Sequence, residues 1–235
     1  MKHLDVHSLI LLAVGLFALQ TAQAQGTTTY LSSLSQTSTG SEPVGSNSWL
    51  AAGFYTGFNT GGYVLNSVQL GITDASGNPD NFTVLLCVQS SFPAAILPGN
   101  SIGTLSGSLD PVTDGIYTYT APSNLILSPR TLYYVVLAAG TTVTNGAYGW
   151  SESAYPPIIS SGWAVDNEVL YSTGTALGNR IWSYTPYLGI AQFAINATAV
   201  PEPAIPNLLS LGVLAFCWWI KMAQKSAGAT RRQCH

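Results

Sequence analysis

The stretch that decides the fold class is residues 64–89, which read VLNSVQLGIT, DASGNPDN and FTVLLCVQ. In the first segment Val68, Leu70 and Ile72 alternate with polar or small residues, and the third segment repeats this period of two from Phe82 onward. A period of two is typical of β-strands with one buried face. Residues 74–81 between them have the Asp, Ser, Gly, Asn and Pro composition of a turn. The stretch therefore predicts two strands, 64–73 and 82–89, joined as a hairpin.

Short alternating segments continue along the chain, and none between residues 26 and 199 has the 3.6-residue period of an amphipathic helix. Asn145-Gly146 is a strong hairpin-turn signal. Further strands are predicted at 102–105, 116–120, 125–127, 132–138, 148–152, 164–171 and 192–198. Short strands at this spacing favour an all-β domain over residues 25–199, with the architecture of a β-sandwich or jelly roll.

The composition is apolar and nearly uncharged. Of 235 residues 47% are hydrophobic and 7% are charged, with a net charge of -3, and such a hydrophobic fraction excludes wholesale disorder. Within 25–199 there are two cations, Arg130 and Arg180, and eight acids. A phosphate backbone is neutralised by several Lys or Arg residues, so nucleic acid is excluded as a partner. Cys87 is the single cysteine of this segment, so it is expected to be a free, buried thiol.

Residues 1–24 have the order of parts of a secretory signal peptide. Lys2 and His3 precede an apolar run at 9–19, and the small residues Ala22 and Ala24 follow it. This order predicts export and cleavage after Ala24. Residue 25 is Gln, so the new N-terminus carries no thiol for a lipid.

A second apolar segment, at about 206–220, predicts a short membrane helix. Two tryptophans stand at its end as an aromatic belt, and all the cations of this region follow it, as the positive-inside rule requires. The anchor residues are Leu208, Leu209, Leu211, Val213, Leu214, Phe216, Trp218, Trp219 and Ile220. The basic cytoplasmic tail, 221–235, contains Lys221, Lys225, Arg231 and Arg232.

Just before this helix stands the motif Val200-Pro201-Glu202-Pro203. The motif, the apolar helix and the basic end together resemble the PEP-CTERM sorting signal of exopolysaccharide-producing Gram-negative bacteria, over residues 200–235. The resemblance implies that exosortase, a membrane transpeptidase-like protease, is the processing partner. The two prolines hold the motif extended and keep it out of a helix. The alternative is a Pro-Glu-Pro linker before a plain tail anchor.

Scattered motifs at about 45–198 are similar to the choice-of-anchor domains of bacterial surface proteins, particularly those of type R. The motifs begin with WLAAGFYTG at 49–57 and FTVLL at 82–86, and continue with GTLSG at 103–107 and LSPRTLYYVV at 127–136. The resemblance implies a β-sandwich joined to a C-terminal anchor, without assigned catalysis.

The residues left for chemistry are few. The segment 25–199 has no histidine and one cysteine, which excludes Ser-His-Asp and Cys-His catalysis and zinc sites built from His or several Cys. A glycosidase would need two carboxyls at a set separation, for which Glu152, Asp166 and Glu168 are the candidates; solvated acids on a strand are the favoured interpretation. We therefore expect no enzyme and no cofactor.

Two ligand hypotheses stay open. Asp74, Asn78 and Asp80 place oxygen ligands for Ca²⁺ in one loop, although such residues are also what a tight turn requires. Trp150, Trp163 and Trp182 could stack on sugar rings, although large aromatic residues are usually buried.

The sequence thus predicts an exported, exosortase-sorted, non-catalytic protein with a structural or adhesive domain. It would be anchored transiently in the inner membrane and then reach the cell surface or the extracellular matrix. The alternative is a carbohydrate-binding module for exopolysaccharide, and more distantly a carboxylate-dependent glycoside hydrolase. Exposed coplanar tryptophans would favour the carbohydrate-binding module. A carboxyl pair in a groove would favour the glycoside hydrolase.

Overall fold

The computed structural model describes residues 26–90, 97–173, 181–184 and 189–202, without the side chains of residues 167 and 168. Every regular element in these ranges is a β-strand. They contain no helix, and so none with the length and apolar character that a membrane crossing requires. The predicted signal peptide (1–24), the membrane helix (206–220), the basic tail (221–235) and Pro203 lie outside the described residues.

The strands form two antiparallel sheets. In chain order they are β1 (Thr28–Ser32), β2 (Gly40–Val44), β3 (Trp49–Tyr55), β4 (Tyr63–Gly77), β5 (Thr83–Gln89), β6 (Pro98–Leu105), β7 (Gly115–Thr120), β8 (Ile126–Leu127), β9 (Leu132–Ala138), β10 (Gly146–Ser153), β11 (Ile158–Ile159), β12 (Ala164–Ser172), β13 (Trp182–Tyr184), β14 (Ile190–Ala191) and β15 (Phe193–Ala199).

The nine-stranded sheet is built around the long strand β4. Its order is β11-β1-β15-β4-β10-β14; β2 adds to β10, and β7 and β8 add to β4. The last strand, β15, pairs with β4 along its whole length, from Phe193 opposite Leu70 to Ala199 opposite Tyr63. The C-terminal end of the domain is therefore held in the middle of the sheet.

The six-stranded sheet has the order β13-β12-β3-β9-β5-β6. Its edge strand β6 is followed directly by Ser106, and Thr120 is the last residue of β7 in the nine-stranded sheet. The backbones of these two residues exchange two hydrogen bonds of 2.8 Å, so the two sheets are joined at this edge. Such a closure leaves fewer unpaired backbone groups at the edges, which is how β proteins limit unwanted strand pairing.

The two sheets share one apolar core. The inward residues of β3, such as Phe54, pack in the same cluster as Leu70 of β4 and Phe193 of β15, and the rings of Phe54 and Phe193 lie 6.5 Å apart. Burial of each large apolar side chain contributes about 1.5–3 kcal/mol. An all-β fold with apolar faces packed together is consistent with the predicted β-sandwich.

The outward faces of the two sheets differ. On the six-stranded sheet a second apolar cluster of buried residues includes Cys87, Tyr134 and Trp182, so β9 is buried on both faces. On the nine-stranded sheet one outward group of side chains is uncharged and polar: Asn196 accepts from Thr29 Oγ1 at 2.6 Å and donates to Ser67 and Gln69. Hydrogen-bonded amides and hydroxyls thus cover part of this face.

Two predicted hairpins are wrong. β4 lies in the nine-stranded sheet and β5 in the six-stranded sheet, so residues 78–82 cross between sheets instead of turning within one. Asn145-Gly146 also joins strands of different sheets. The strand before it, β9, pairs with β3 and β5 in the six-stranded sheet. The strand that it begins, β10, lies in the nine-stranded sheet, where Gly146 is opposite Gly77 of β4. The same turn-forming residues occur in a hairpin within one sheet and in a connection that crosses between two sheets.

Candidate functional site

The fold ends where the predicted sorting motif begins. β15 ends at Ala199, and Val200 continues its pairing by one residue because its N–H donates to the carbonyl oxygen of Gly62 at 3.0 Å. Val200 is half-buried, whereas Pro201 and Glu202 are exposed. The change from paired to exposed backbone therefore falls within the four-residue motif.

Val200 is held by the loop between β3 and β4. The side-chain amide of Asn59 donates two hydrogen bonds, one to the carbonyl oxygen of Gly62 at 2.7 Å and one to that of Val200 at 2.8 Å. The Asn59 N–H itself donates to the hydroxyl of Tyr63 at 3.2 Å. One side chain thus connects this loop to the last paired residue of the domain.

Two glycines allow this close approach. A Cβ atom on Gly61 would lie 2.9 Å from the carbonyl oxygen of Val200. Gly62 has a φ of 77°, and a Cβ there would lie 2.5 Å from the carbonyl oxygen of Leu127. A left-handed φ favours glycine, so this position tolerates no other residue without strain. We call Asn59, Gly61 and Gly62 together the Val200 clamp.

The start of the loop is fixed independently of Val200. Thr56 Oγ1 donates to the carbonyl oxygen of Ser128 at 2.6 Å and accepts from the N–H of Thr131 at 3.0 Å. The guanidinium of Arg130 lies 4.8 Å from the ring centre of Phe58, a distance at which a cation is attracted to an aromatic ring. These contacts hold the loop that carries Asn59 in one position.

The structure brings together a carboxyl pair that the sequence did not suggest. Glu152 at the end of β10 is buried, and its side chain is hydrogen-bonded to that of Glu42 on β2. Glu42 lies opposite Trp150, so it shares a face with Glu152. The Gly189 N–H donates to Glu152 Oε2 at 2.5 Å. No cation contacts this pair among the described residues.

Burial raises the pKa of both carboxyl groups above the usual value of 4.5. The Gly189 hydrogen bond opposes this rise for Glu152, and the charge of Glu42 adds to it. The hydrogen bond between the two groups lowers the pKa of Glu42 and raises that of Glu152. Two carboxyl groups in contact do not both ionise readily, and the contact favours the protonated form of Glu152 over that of Glu42.

The other predicted carboxylates lie on the opposite sheet. Asp166 and Glu168 belong to β12 of the six-stranded sheet. Asp166 is half-buried against Gly53, where an added Cβ would lie 2.8 Å from the Asp166 Cβ; the side chain of Glu168 lies outside the described part of the chain. Glu152 is therefore not paired with Asp166, and its partner is Glu42.

The three tryptophans proposed for sugar stacking are buried in the structure, with exposed fractions of 1% for Trp150, 6% for Trp163 and 8% for Trp182. Trp163 stacks on Tyr30 at 4.6 Å and lies parallel to Phe54 at 6.1 Å, and the Trp150 Nε1 donates to the carbonyl oxygen of Gln192 at 3.1 Å. Both are core residues, which is the interpretation that the sequence favoured.

The residues proposed for calcium have separate partners. Asp74 Oδ1 accepts from the Asp114 N–H at 2.8 Å. Asp80 accepts from Asn81 Nδ2 and, in a short hydrogen bond, from the hydroxyl of Thr141. Asn78 enters a backbone hydrogen bond with Asn145. In the described ranges, no three Asp, Glu, His or Cys side chains come together as a metal site.

Sequence reasoning missed Asn59 and Glu42, for different reasons. Asn59 lies in the segment FNTGG at 58–62, where adjacent glycines signal a close backbone approach but not its partner 141 residues away. Glu42 precedes a proline in a polar segment without periodicity, and nothing local indicates that it pairs with β10.

Comparison with known proteins gives no match: no protein-family model, no curated protein and no solved structure matches this chain. Its function is therefore inferred from its own residues.

Proposed function

We propose that this protein is exported, sorted by exosortase and carried to the cell surface or extracellular matrix of a Gram-negative-type bacterium, where its domain has a structural or adhesive role. In this proposal residues 1–24 are the signal peptide and 206–220 the transient membrane helix, followed by the cytoplasmic tail 221–235. The domain between them is a β-sandwich of jelly-roll type. Exosortase and the inner membrane are its processing partners.

The observation that carries the proposal is the position of the motif. The paired backbone ends at Val200, and Pro201 and Glu202 are exposed immediately after it. A protease needs its substrate segment extended and outside the fold, and proline on both sides of Glu202 keeps that segment out of helix and sheet pairing. A charged, extended segment directly beyond the last paired residue has the form that such an enzyme requires.

A non-catalytic domain agrees with the arrangement of the carboxyl groups. Glycoside hydrolysis uses two carboxyls about 5–10 Å apart, so that water or a sugar carbon fits between them. Glu42 and Glu152 are instead hydrogen-bonded to each other. Sugar binding has no specific support either, since the three candidate tryptophans are buried.

The test compares the wild type with Glu202→Ala in a host that contains exosortase. We expect the wild type outside the inner membrane without its basic tail, and Glu202→Ala in the inner membrane with Arg231 and Arg232 retained. Asp114→Ala is the matched control, because it removes an exposed carboxylate from the domain and leaves the motif intact. Processing of Glu202→Ala at the wild-type level would contradict the role of the motif.

A further inference from the structure

The Val200 clamp stands out because nothing in the sheet pairing requires it. The regular register of β15 on β4 ends with Ala199 opposite Tyr63. Beyond that point the strand would ordinarily fray, since terminal residues have the lowest local stability. Val200 is instead hydrogen-bonded through both its N–H and its carbonyl oxygen. The added contacts stop one residue before Pro201, which has no N–H to donate.

We propose that the Val200 clamp fixes the end of the folded domain at Val200, and that Asn59 is the positioning residue that sets where the chain becomes accessible to proteolysis. This inference rests on the proposed function, because it assigns the boundary between the protected domain and the processing segment. Asn59 acts through hydrogen bonds to the backbone of Gly62 and Val200.

The clamp is suited to this role by its geometry. The Asn59 amide uses both of its N–H groups, on Gly62 and on Val200, so it holds the two backbones at a fixed separation. Gly61 admits the Val200 carbonyl at a distance that a side chain would block. Without Asn59, the Val200 carbonyl loses its hydrogen bond to the side chain of Asn59, and Val200 keeps the bond from its N–H to the carbonyl oxygen of Gly62.

The first experiment measures amide hydrogen exchange at Val200 in the full chain. Loss of the two Asn59 hydrogen bonds in Asn59→Ala should speed exchange at Val200 on the order of tenfold. The matched control is Asn66→Ala. It removes the 3.0 Å hydrogen bond that Asn66 Oδ1 accepts from Thr198 on β15, the strand that leads to Val200. It should change exchange at Val200 less than about twofold. Equal exchange in wild type and Asn59→Ala would overturn the clamp.

The second experiment measures the C-terminus of the processed product by intact mass, in a host with exosortase. Wild type and Asn66→Ala should each give products that end at or beyond Val200, whereas Asn59→Ala should add species that end before it, because a frayed strand is open to proteases. If exchange rises in Asn59→Ala but its product matches the wild type, the boundary role is overturned. If the wild type itself keeps its tail, the proposed function fails, and the exchange result still decides whether the clamp exists.

Discussion

Glu42 of β2 and Glu152 of β10 are hydrogen-bonded to each other, and the Gly189 N–H donates to Glu152 Oε2 at 2.5 Å. Because burial raises the pKa of both groups in the folded protein above the usual 4.5, the unfolded chain binds fewer protons than the fold at intermediate pH. The stabilisation from this pair is complete below about pH 4.5 and is lost as the pH rises through the raised values.

We therefore expect the melting temperature to fall between pH 5 and pH 8, by about 2–4 °C for each kcal/mol of stability lost. Calorimetry at several pH values measures this. Glu152→Gln keeps an acceptor for the Gly189 N–H but does not ionise, so it should remove most of the slope. Asp114→Asn, at an exposed carboxylate, should leave the slope unchanged. A wild-type stability that rises over this pH range would contradict the raised pKa values of Glu42 and Glu152.

The same contact leads to a prediction about activity. Since Glu42 and Glu152 are hydrogen-bonded to each other, whereas glycoside hydrolysis uses carboxyls about 5–10 Å apart, the purified protein should hydrolyse glycosides at the uncatalysed rate. The segment 25–199 contains no histidine, so ester and peptide hydrolysis by a Ser-His or Cys-His nucleophile is not expected either. Chromogenic glycosides, esters and peptides, assayed beside Glu152→Gln, provide the measurement. Turnover that disappears in Glu152→Gln would show that the domain is an enzyme.

Trp163 should contribute strongly to stability, because it is packed between the rings of Tyr30 and Phe54. Trp163→Ala should lower the free energy of unfolding by about 3–5 kcal/mol. Tyr155→Ala is the control, since Tyr155 is 56% exposed, and it should change stability by less than about 0.5 kcal/mol. Urea denaturation followed by tryptophan fluorescence measures both. A loss below about 1 kcal/mol for Trp163→Ala would place that ring outside the core.

Cys87 is a free, buried thiol on β5, as the sequence predicts. Burial raises its pKa to about 12, and the thiolate is the form that reacts with alkylating reagents. We expect the peptide that contains Cys87 to remain unlabelled by iodoacetamide at pH 8 in the native protein and to be labelled fully in urea. Peptide mass spectrometry distinguishes Cys87 from Cys217 and Cys234. Rapid native labelling would mean that β5 is accessible.

The sequence was a good guide to local structure. The period of two located most of the long strands, and the prediction of 132–138 coincides with β9 (Leu132–Ala138). The predicted turn at 74–81 begins too early, since β4 continues to Gly77. Strand pairing was not accessible from the sequence, because the connection at 78–82 would have the same composition whether the chain returned in one sheet or crossed to another. The Leu85 and Cys87 side chains are apolar on the outward face of β5, which is the pattern of a strand buried on both faces.

The candidate site was predictable only in part. The sorting motif that contains Val200, Pro201 and Glu202 is recognisable because its residues are consecutive in the sequence. The contacts of Val200 with Asn59, and of Glu152 with Glu42, join residues more than a hundred positions apart. Such pairs follow from sheet order, and sheet order depends on the packing of the whole core. Local patterns do not contain that information.

We propose that the domain is released at the motif beyond Val200. The most direct measurement is the intact mass of the wild-type protein recovered outside the inner membrane of a host that contains exosortase. We expect one mature species that begins at Gln25 and ends within residues 200–203, without Lys221, Lys225, Arg231 and Arg232. A mature species that retains Arg231 and Arg232 and remains in the inner membrane would contradict it.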